Sequence, residues 1–131
     1  EVPLEKEALV AKARNLMQEY AMCKNGSESR QYMSEFPSTQ RADVVKIWVE
    51  DALEAGTEPG VLSDLLVAVT SGESPPMSAD DFTKGVKSVV EVLGDLEIDY
   101  PMTGKRVPKY LAPVFAAGNV EVKSLDALGA A

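Results

Sequence analysis

The sequence contains no histidine and a single cysteine, Cys23, among its 131 residues. Without an imidazole, the common zinc sites and every catalytic triad that needs a histidine base are excluded. One thiol cannot form an internal disulfide, so the composition favours a reducing, cytoplasmic compartment, with Cys23 as an inert, half-buried residue at a helix end. The chemistry left to the chain is that of carboxylates, hydroxyls and lysines, and we expect neither a metal ion nor another cofactor.

Basic residues and long apolar runs are also scarce. Lys and Arg number 13 against 21 Asp and Glu, which gives a net charge of −8 and a pI near 4.5. A domain of this charge repels phosphate backbones, so we expect a basic partner protein and no direct binding of nucleic acid. No apolar run approaches the roughly 20 residues that a membrane span requires, and the first residues are not those of a signal peptide.

Apolar residues recur at helical spacing through most of the chain, and no stretch shows the strict alternation of a half-buried strand. The spacing predicts helices with apolar stripes over residues 9–21, 32–36, 44–53, 61–69, 82–96 and 107–115. Only a short turn separates the third stripe from the fourth, so we expect those two helices to pack as an antiparallel hairpin. The sequence therefore predicts an all-α domain of stacked antiparallel helical hairpins.

Turn-forming residues predict where these helices begin and end. The pair Asn25-Gly26 is expected to end the first helix and Gly56 the third, because these residues tolerate the left-handed conformation of helix C-termini. Ser78 is the predicted N-cap of the fifth helix. Pro113 predicts a kink or a late start in the last helix, since proline removes a backbone donor.

The acidic segment over residues 94–101 stands apart as a candidate binding site. If the fifth helix persists past Gly94, where we expect it to loosen, Asp95 and Asp99 lie on one face and Leu96 points inward. Two exposed carboxylates at this spacing suit an Arg or Lys cluster on another protein. Two other interpretations stay open: Asp99 is a good N-cap for the helix that follows, and Asp95 is simply solvated.

The remaining charged and aromatic features have simpler interpretations. Trp48 lies on an apolar stripe and is interpreted as a core residue. A further acidic run on the third helix is interpreted as a solvated face: Glu50, Asp51 and Glu54. The basic cluster carries three charges without interleaved aromatics and is weak evidence for RNA binding: Lys105, Arg106 and Lys109. Acids spread over polar helix faces supply no paired acid and base in a cleft, so we expect no enzymatic activity.

Three segments resemble the MA3 domain family, which occurs in eukaryotic translation initiation factor 4G and in programmed cell death protein 4. They are Leu62-Ser63-Asp64-Leu65-Leu66, residues 82–93, and Asp95-Leu96-Glu97-Ile98-Asp99-Tyr100-Pro101 ahead of residues 107–118. The resemblance implies an atypical HEAT-like stack of hairpins over residues 1–118. Residues 119–131 would then form a C-terminal tail or capping segment.

The resemblance also implies a function. It predicts a monomeric, non-enzymatic module of a larger scaffold that binds the DEAD-box RNA helicase initiation factor 4A in cap-dependent translation initiation. The family's acidic contacts carry over onto Asp95 and Asp99, with Glu97 between them and Glu73 in the preceding loop as further contacts. The alternatives are an MA3 module of a helicase inhibitor, one of a splicing or ribosome-assembly scaffold, and a helical adaptor for an unrelated basic partner.

Overall fold

The computed structural model describes residues 3–120, and these residues form α-helices joined by short turns. No β-strand occurs within this range, which confirms the all-α prediction. No helix of the range is long and apolar enough to cross a membrane. A 3-10 turn, Ser38–Gln40, precedes the third α-helix. The α-helices are α1 (Lys6–Cys23), α2 (Gly26–Ser34), α3 (Arg41–Ala55), α4 (Pro59–Thr70), α5 (Ala79–Glu91), α6 (Leu93–Asp99) and α7 (Thr103–Ala116).

Two of the predicted helix ends are confirmed. Gly56 follows α3 with a left-handed φ of 68° and donates its N–H to the carbonyl of Ala52. Ser78 precedes α5, and its hydroxyl oxygen accepts the N–H of Asp81 at 3.0 Å. Each residue satisfies a backbone group that the helix itself leaves unpaired.

The end of α1 differs from the prediction. Lys24, and not the Asn25-Gly26 pair, adopts the left-handed conformation, with a φ of 54°. Its N–H bonds to the Tyr20 carbonyl at 2.7 Å. Asn25 instead caps α2, because its side-chain oxygen accepts the Glu28 N–H at 3.1 Å. The turn between the two helices is therefore shorter than the sequence indicates.

The predicted fifth helix is divided in two. α5 ends at Glu91, Val92 leaves the helical conformation with φ −113° and ψ 10°, and α6 begins at Leu93. The break lies before the predicted weak point, since Gly94 is inside α6. The Val92 N–H bonds to the Val89 carbonyl at 3.1 Å, a tighter turn than that of an α-helix. The segment that follows is therefore a separate short helix.

The last helix does not begin late. α7 starts at Thr103, whose buried hydroxyl donates to the carbonyls of Leu96 at 3.1 Å and Tyr100 at 2.6 Å. Pro108 and Pro113 both lie inside the helix. The proline rings remove two backbone donors, while the apolar stripe of the helix packs against α4.

Helix packing mainly joins helices that are not neighbours in sequence. α3 packs most extensively against α5 and α1, and α4 against α7 and α2. α3 and α4 contact each other much less, so the predicted hairpin between them is a minor packing pair. The helices consequently lie in two rows, α1–α3–α5 and α2–α4–α7.

Helix α3 lies at the centre of the hydrophobic core. Trp48 is fully buried, and its indole N–H donates to the Ala13 carbonyl of α1 at 2.7 Å. This confirms the interpretation of Trp48 as a core residue. On the same face of α3, four further residues are completely buried: Val44, Val45, Val49 and Ala52.

Two expectations at the periphery of the fold need correction or extension. Cys23 is exposed and not half-buried, because the core-facing stripe of α1 ends at Tyr20. The packed structure also continues beyond residue 118. Val120 is 2% exposed, and the Asn119 side-chain amide donates to the Val67 carbonyl at 3.1 Å. Residues 121–131 of the predicted tail lie outside the described residues.

The close approach of α3 and α5 explains a glycine inside α5. A Cβ at Gly85 would lie 2.5 Å from the Val45 Cβ and 2.7 Å from the Ala42 carbonyl oxygen. We therefore expect Gly85→Ala to lower the free energy of unfolding by about 1 to 3 kcal/mol, because overpacking outweighs the better helix propensity of alanine. Urea denaturation measures this change.

The matched control is Gly94→Ala, since a Cβ at Gly94 in α6 would meet no atom within 4 Å. This substitution should raise stability by up to about 1 kcal/mol through helix propensity alone. Equal effects of the two substitutions would contradict the close α3–α5 contact.

Candidate protein-binding groove

Helices α1, α3 and α6 enclose an open groove of about 290 Å³, here called the acidic groove. Its apolar wall consists of Val10 from α1, Ile47 from α3 and Leu96 from α6. Four carboxylates, one guanidinium and one phenol complete the lining: Glu50, Asp51, Glu54, Asp99, Arg14 and Tyr100. The groove is therefore a largely negative surface with one apolar wall.

The spacing of residues on α3 explains why three of the acids lie together. Ile47, Glu50, Asp51 and Glu54 follow one another at intervals of three, one and three residues, which places them on a single helix face. The opposite face of α3 is buried against α1 and α5, around Trp48. Packing of the apolar face thus directs the acidic face toward solvent at the groove.

Among residues 3–120, Arg14 is the only cation that lines the acidic groove. Its Nε lies 2.9 Å from the Asp51 carboxylate, and its Nη2 lies 3.9 Å from that of Glu54. The Asp51 side chain is 17% exposed and that of Glu54 is 63% exposed, so the pair with Asp51 is the better shielded. An ion pair at this exposure contributes about 0 to 1 kcal/mol. Arg14 neutralises one carboxylate and leaves the groove negative.

Tyr100 reports on the electrostatic field in the groove. Partial burial of the phenol is the largest cause that raises the pKa of Tyr100 above the ordinary tyrosine value. The carboxylates of Glu54, Asp99 and Glu50 raise the pKa further, in that order. Carboxylates from α3 and α6 therefore line the same groove as this phenol.

Helix α6 presents the acidic segment singled out in the sequence. Leu96 is 6% exposed, which confirms that it points inward. Asp95, Glu97 and Asp99 are all exposed, but only Asp99 lines the acidic groove. Asp95 and Asp99 lie on the same short helix, four residues apart, and not on a continuation of α5.

The interpretation of Asp99 as an N-cap is wrong. Asp99 is the last residue of α6, and Met102 is the N-cap of α7. The chain leaves α6 through the Tyr100 N–H, which bonds to the Leu96 carbonyl at 2.7 Å, so Asp99 is not drawn into a capping contact. Its carboxylate is left to face the groove.

Glu73 lies far from this site. It belongs to the loop after α4, whereas Asp99, with Leu53 and Gly56, lines a small cavity near the turn that precedes α4. The 12 residues of α4 separate the two ends by about 18 Å. The sequence-predicted site residues are thus divided between α6 and a loop at the other end of α4.

The sequence does not predict several of the groove residues. The interpretation of Glu50, Asp51 and Glu54 as a solvated face needs correction, because they line the groove with Asp99, and nothing in the local pattern joins them to it. The available signal is Ile47, an apolar residue on the same helix face as the three acids. Of the basic cluster, Arg106 supports the fold, since it donates to the Thr57 carbonyl at 3.1 Å.

The groove has no sign of a metal centre. Within residues 3–120, no group of three or more Cys, Asp or Glu side chains is arranged to hold a metal ion. Asp51 is already paired with Arg14, and the other acids face an open groove. The arrangement suits a cationic side chain with an apolar stem.

The raised pKa of Tyr100 can be tested by titration. The phenol should titrate above about 10, the ordinary tyrosine value, and Glu54→Gln should lower its pKa by removing the strongest charge acting on it. Because the folded-state pKa is raised, this ionisation should destabilise the protein only as pH rises above the ordinary value. NMR titration of the tyrosine Cζ signals, assigned with Tyr100→Phe, measures the change.

The control variant is Glu7→Gln, which removes an exposed acid from the first turn of α1 and is not among the groove residues. It should leave the Tyr100 signal unchanged. A Tyr100 pKa at or below 10 would contradict this placement of carboxylates in the groove.

Comparison with known proteins adds no family assignment: no protein-family model, curated protein or solved structure matches this chain. The likeness to the MA3 family, including that of the segment from Asp95 to Pro101, stays a prediction from the sequence. The function proposed below therefore follows from the charge, exposure and position of the groove residues.

Proposed function

We propose that this protein is a non-catalytic binding module that receives a basic segment of a partner protein in the acidic groove. The observation that supports this most directly is that Glu50, Glu54 and Asp99 line one groove together with Tyr100. These side chains come from two helices and line one open groove. A surface of this kind is complementary to arginine or lysine, not to an anionic ligand.

The chemistry of the groove favours arginine. The aliphatic stem of an arginine packs against Val10, Ile47 and Leu96, while its guanidinium donates to Glu50 and Asp99. Planar guanidinium also stacks on an aromatic ring, here Tyr100. The net charge of −8 steers a basic partner toward the module and makes association sensitive to salt.

Arg14 provides an internal example of the same contact. Its guanidinium already lies against Asp51 and within 3.9 Å of Glu54, at one side of the groove. Of the four groove carboxylates, Glu50 and Asp99 make no ion pair with Arg14, so we assign these two to the partner. In this division, Arg14 supports the groove, and Glu50 and Asp99 bind the partner.

The arrangement of helices in two rows supports the finer fold proposal of an atypical HEAT-like stack of hairpins. In such a stack, equivalent helices of successive hairpins pack on one another. The pairs α1–α3 and α3–α5 form one row, and α2–α4 and α4–α7 form the other. The break at Val92 and the short helix α6 make the last unit irregular.

The resemblance to the MA3 family identifies the partner that we propose to test first, the DEAD-box RNA helicase initiation factor 4A. Asp99, which belongs to the segment that carries the resemblance, also lines the acidic groove. The module would act in the cytoplasm, as part of a scaffold in translation initiation. By docking on a basic patch of the helicase, it would bias the equilibrium between open and closed arrangements of the helicase lobes.

Calorimetric titration of the protein into initiation factor 4A tests this proposal. The variant Glu50→Gln, Asp99→Asn removes both unpaired groove charges with little change in shape. We expect each substitution to weaken binding by about 1 to 3 kcal/mol, as for charge pairs at a desolvated contact. Raising the salt concentration should weaken the wild-type complex and have less effect on the variant.

Two controls locate the contact. Glu73→Gln removes an acid at the other end of α4 and should leave groove binding intact, whereas loss of binding would place the contact on the loop. Circular dichroism should show full helicity in every variant. If the Glu50→Gln, Asp99→Asn variant binds the helicase as tightly as the wild type does, the acidic groove is not the binding site. No helicase binding, with salt-sensitive binding of an arginine-rich peptide, would favour an adaptor for another basic partner.

A further inference from the structure

The loop between α4 and α5 carries a feature that the groove does not use. Residues 71–78 are not helical, and Ser74 is exposed at the middle of this loop. Pro75 follows Ser74 directly, and Ser74-Pro75 is the only Ser-Pro or Thr-Pro pair in the sequence. Proline-directed protein kinases accept an exposed hydroxyl in non-helical backbone immediately before a proline.

An arginine from α2 holds the first part of this loop. The Nη1 of Arg30 donates to the Ala68 carbonyl at 2.9 Å, to the Ser71 hydroxyl oxygen at 2.9 Å and to the Ser71 carbonyl. Its Nη2 lies beside Gly72, 3.0 Å from where a Cβ of that residue would be. Within the described residues, the hydrogen bonds of Arg30 all use Nη1, so Nη2 keeps its donors for another acceptor.

A second arginine holds the far side of the loop. Arg41, the first residue of α3, donates from Nη1 to the Pro76 carbonyl at 2.9 Å. Its other nitrogens donate to the carbonyls of Ser34, the last residue of α2, and of Phe36, two residues beyond it. Guanidinium groups thus bond to the loop three residues before Ser74, at Ser71, and two residues after it, at Pro76. The anionic side chain closest to Ser74 in sequence is that of Glu73.

We propose that Ser74 is a phosphorylation site of this protein and that Arg30 and Arg41 receive the phosphate. In this step, the Ser74 hydroxyl oxygen attacks the γ-phosphorus of ATP, the bond to the β-phosphate oxygen breaks, and ADP and one proton are released. The product carries about −1.5 to −2 charges at neutral pH and three acceptor oxygens. Two guanidinium groups can bind such a group through charge-assisted hydrogen bonds.

The modification changes the loop in a defined way. The phosphate adds negative charge beside Glu73, and the attraction of the arginines must exceed this repulsion for the phosphate to dock. Once docked, it connects the loop to α2 and α3 through Arg30 and Arg41, and the loop becomes more rigid. Ser74 lies at the opposite end of α4 from Asp99, so the proposal does not depend on the function of the acidic groove.

Phosphorylation of the full chain by a mitogen-activated protein kinase, with MgATP, tests the site. We expect one phosphate per chain, located on Ser74 by fragment mass spectrometry. Ser74→Ala should take up none, and Ser27→Ala, which removes another exposed serine, should be phosphorylated as the wild type is. No phosphate on Ser74, while a Ser-Pro peptide in the same tube is phosphorylated, would overturn the proposal.

Phosphorus NMR then tests the role of the two arginines. The second pKa of the phosphate is measured in the folded protein and in a phosphopeptide with the sequence of residues 70–79. Both contain Glu73, whereas only the protein contains Arg30 and Arg41. The pKa should be lower in the protein, and Arg30→Lys should reduce the difference. Equal pKa values in protein and peptide would overturn the assignment of the arginines.

Discussion

The buried hydrogen bond between Trp48 and α1 fixes helix α3, and the rest of the structure depends on where that helix lies. The indole N–H of the fully buried Trp48 donates to the Ala13 carbonyl at 2.7 Å. An indole left unpaired in the core would cost about 1 to 3 kcal/mol, so the contact selects one register of α3 on α1. Helix α5 then packs against α3, whereas α4 and α7 pack mainly against each other and contact α3 less.

The acidic groove is a consequence of this arrangement. Because the apolar face of α3 packs in the core, its acids lie on the outer face, along the boundary with α1. The break at Val92 allows α6 to run as a separate helix, with Leu96 buried and Asp99 facing the acids of α3. Helix α3 carries three of the groove acids, and the short helix α6 carries Asp99. Arg14 connects α1 to α3 through its ion pair with Asp51. Core packing thus organises a surface made almost entirely of residues outside the core.

Local patterns predicted more of the fold than of the site. Helical spacing identified the buried stripes, including Trp48 and Leu96, because periodic burial is encoded within each helix. It did not predict that Gly85 marks a close crossing of α3 and α5, or that α3 and α4 contact each other little, since both depend on partners distant in sequence. The same reason explains why Asp99 was found as a candidate while its neighbours on α3 were interpreted as a solvated face.

A basic partner that occupies the acidic groove must contact α3 and α6 together. Backbone amide NMR of the protein, titrated with initiation factor 4A or an arginine-rich peptide, tests this most directly. We expect shift changes that cluster at Ile47–Glu54 and Leu96–Tyr100 and that fade as salt is added. Changes confined to α2 and the loop over residues 71–78, with the groove unaffected, would contradict it.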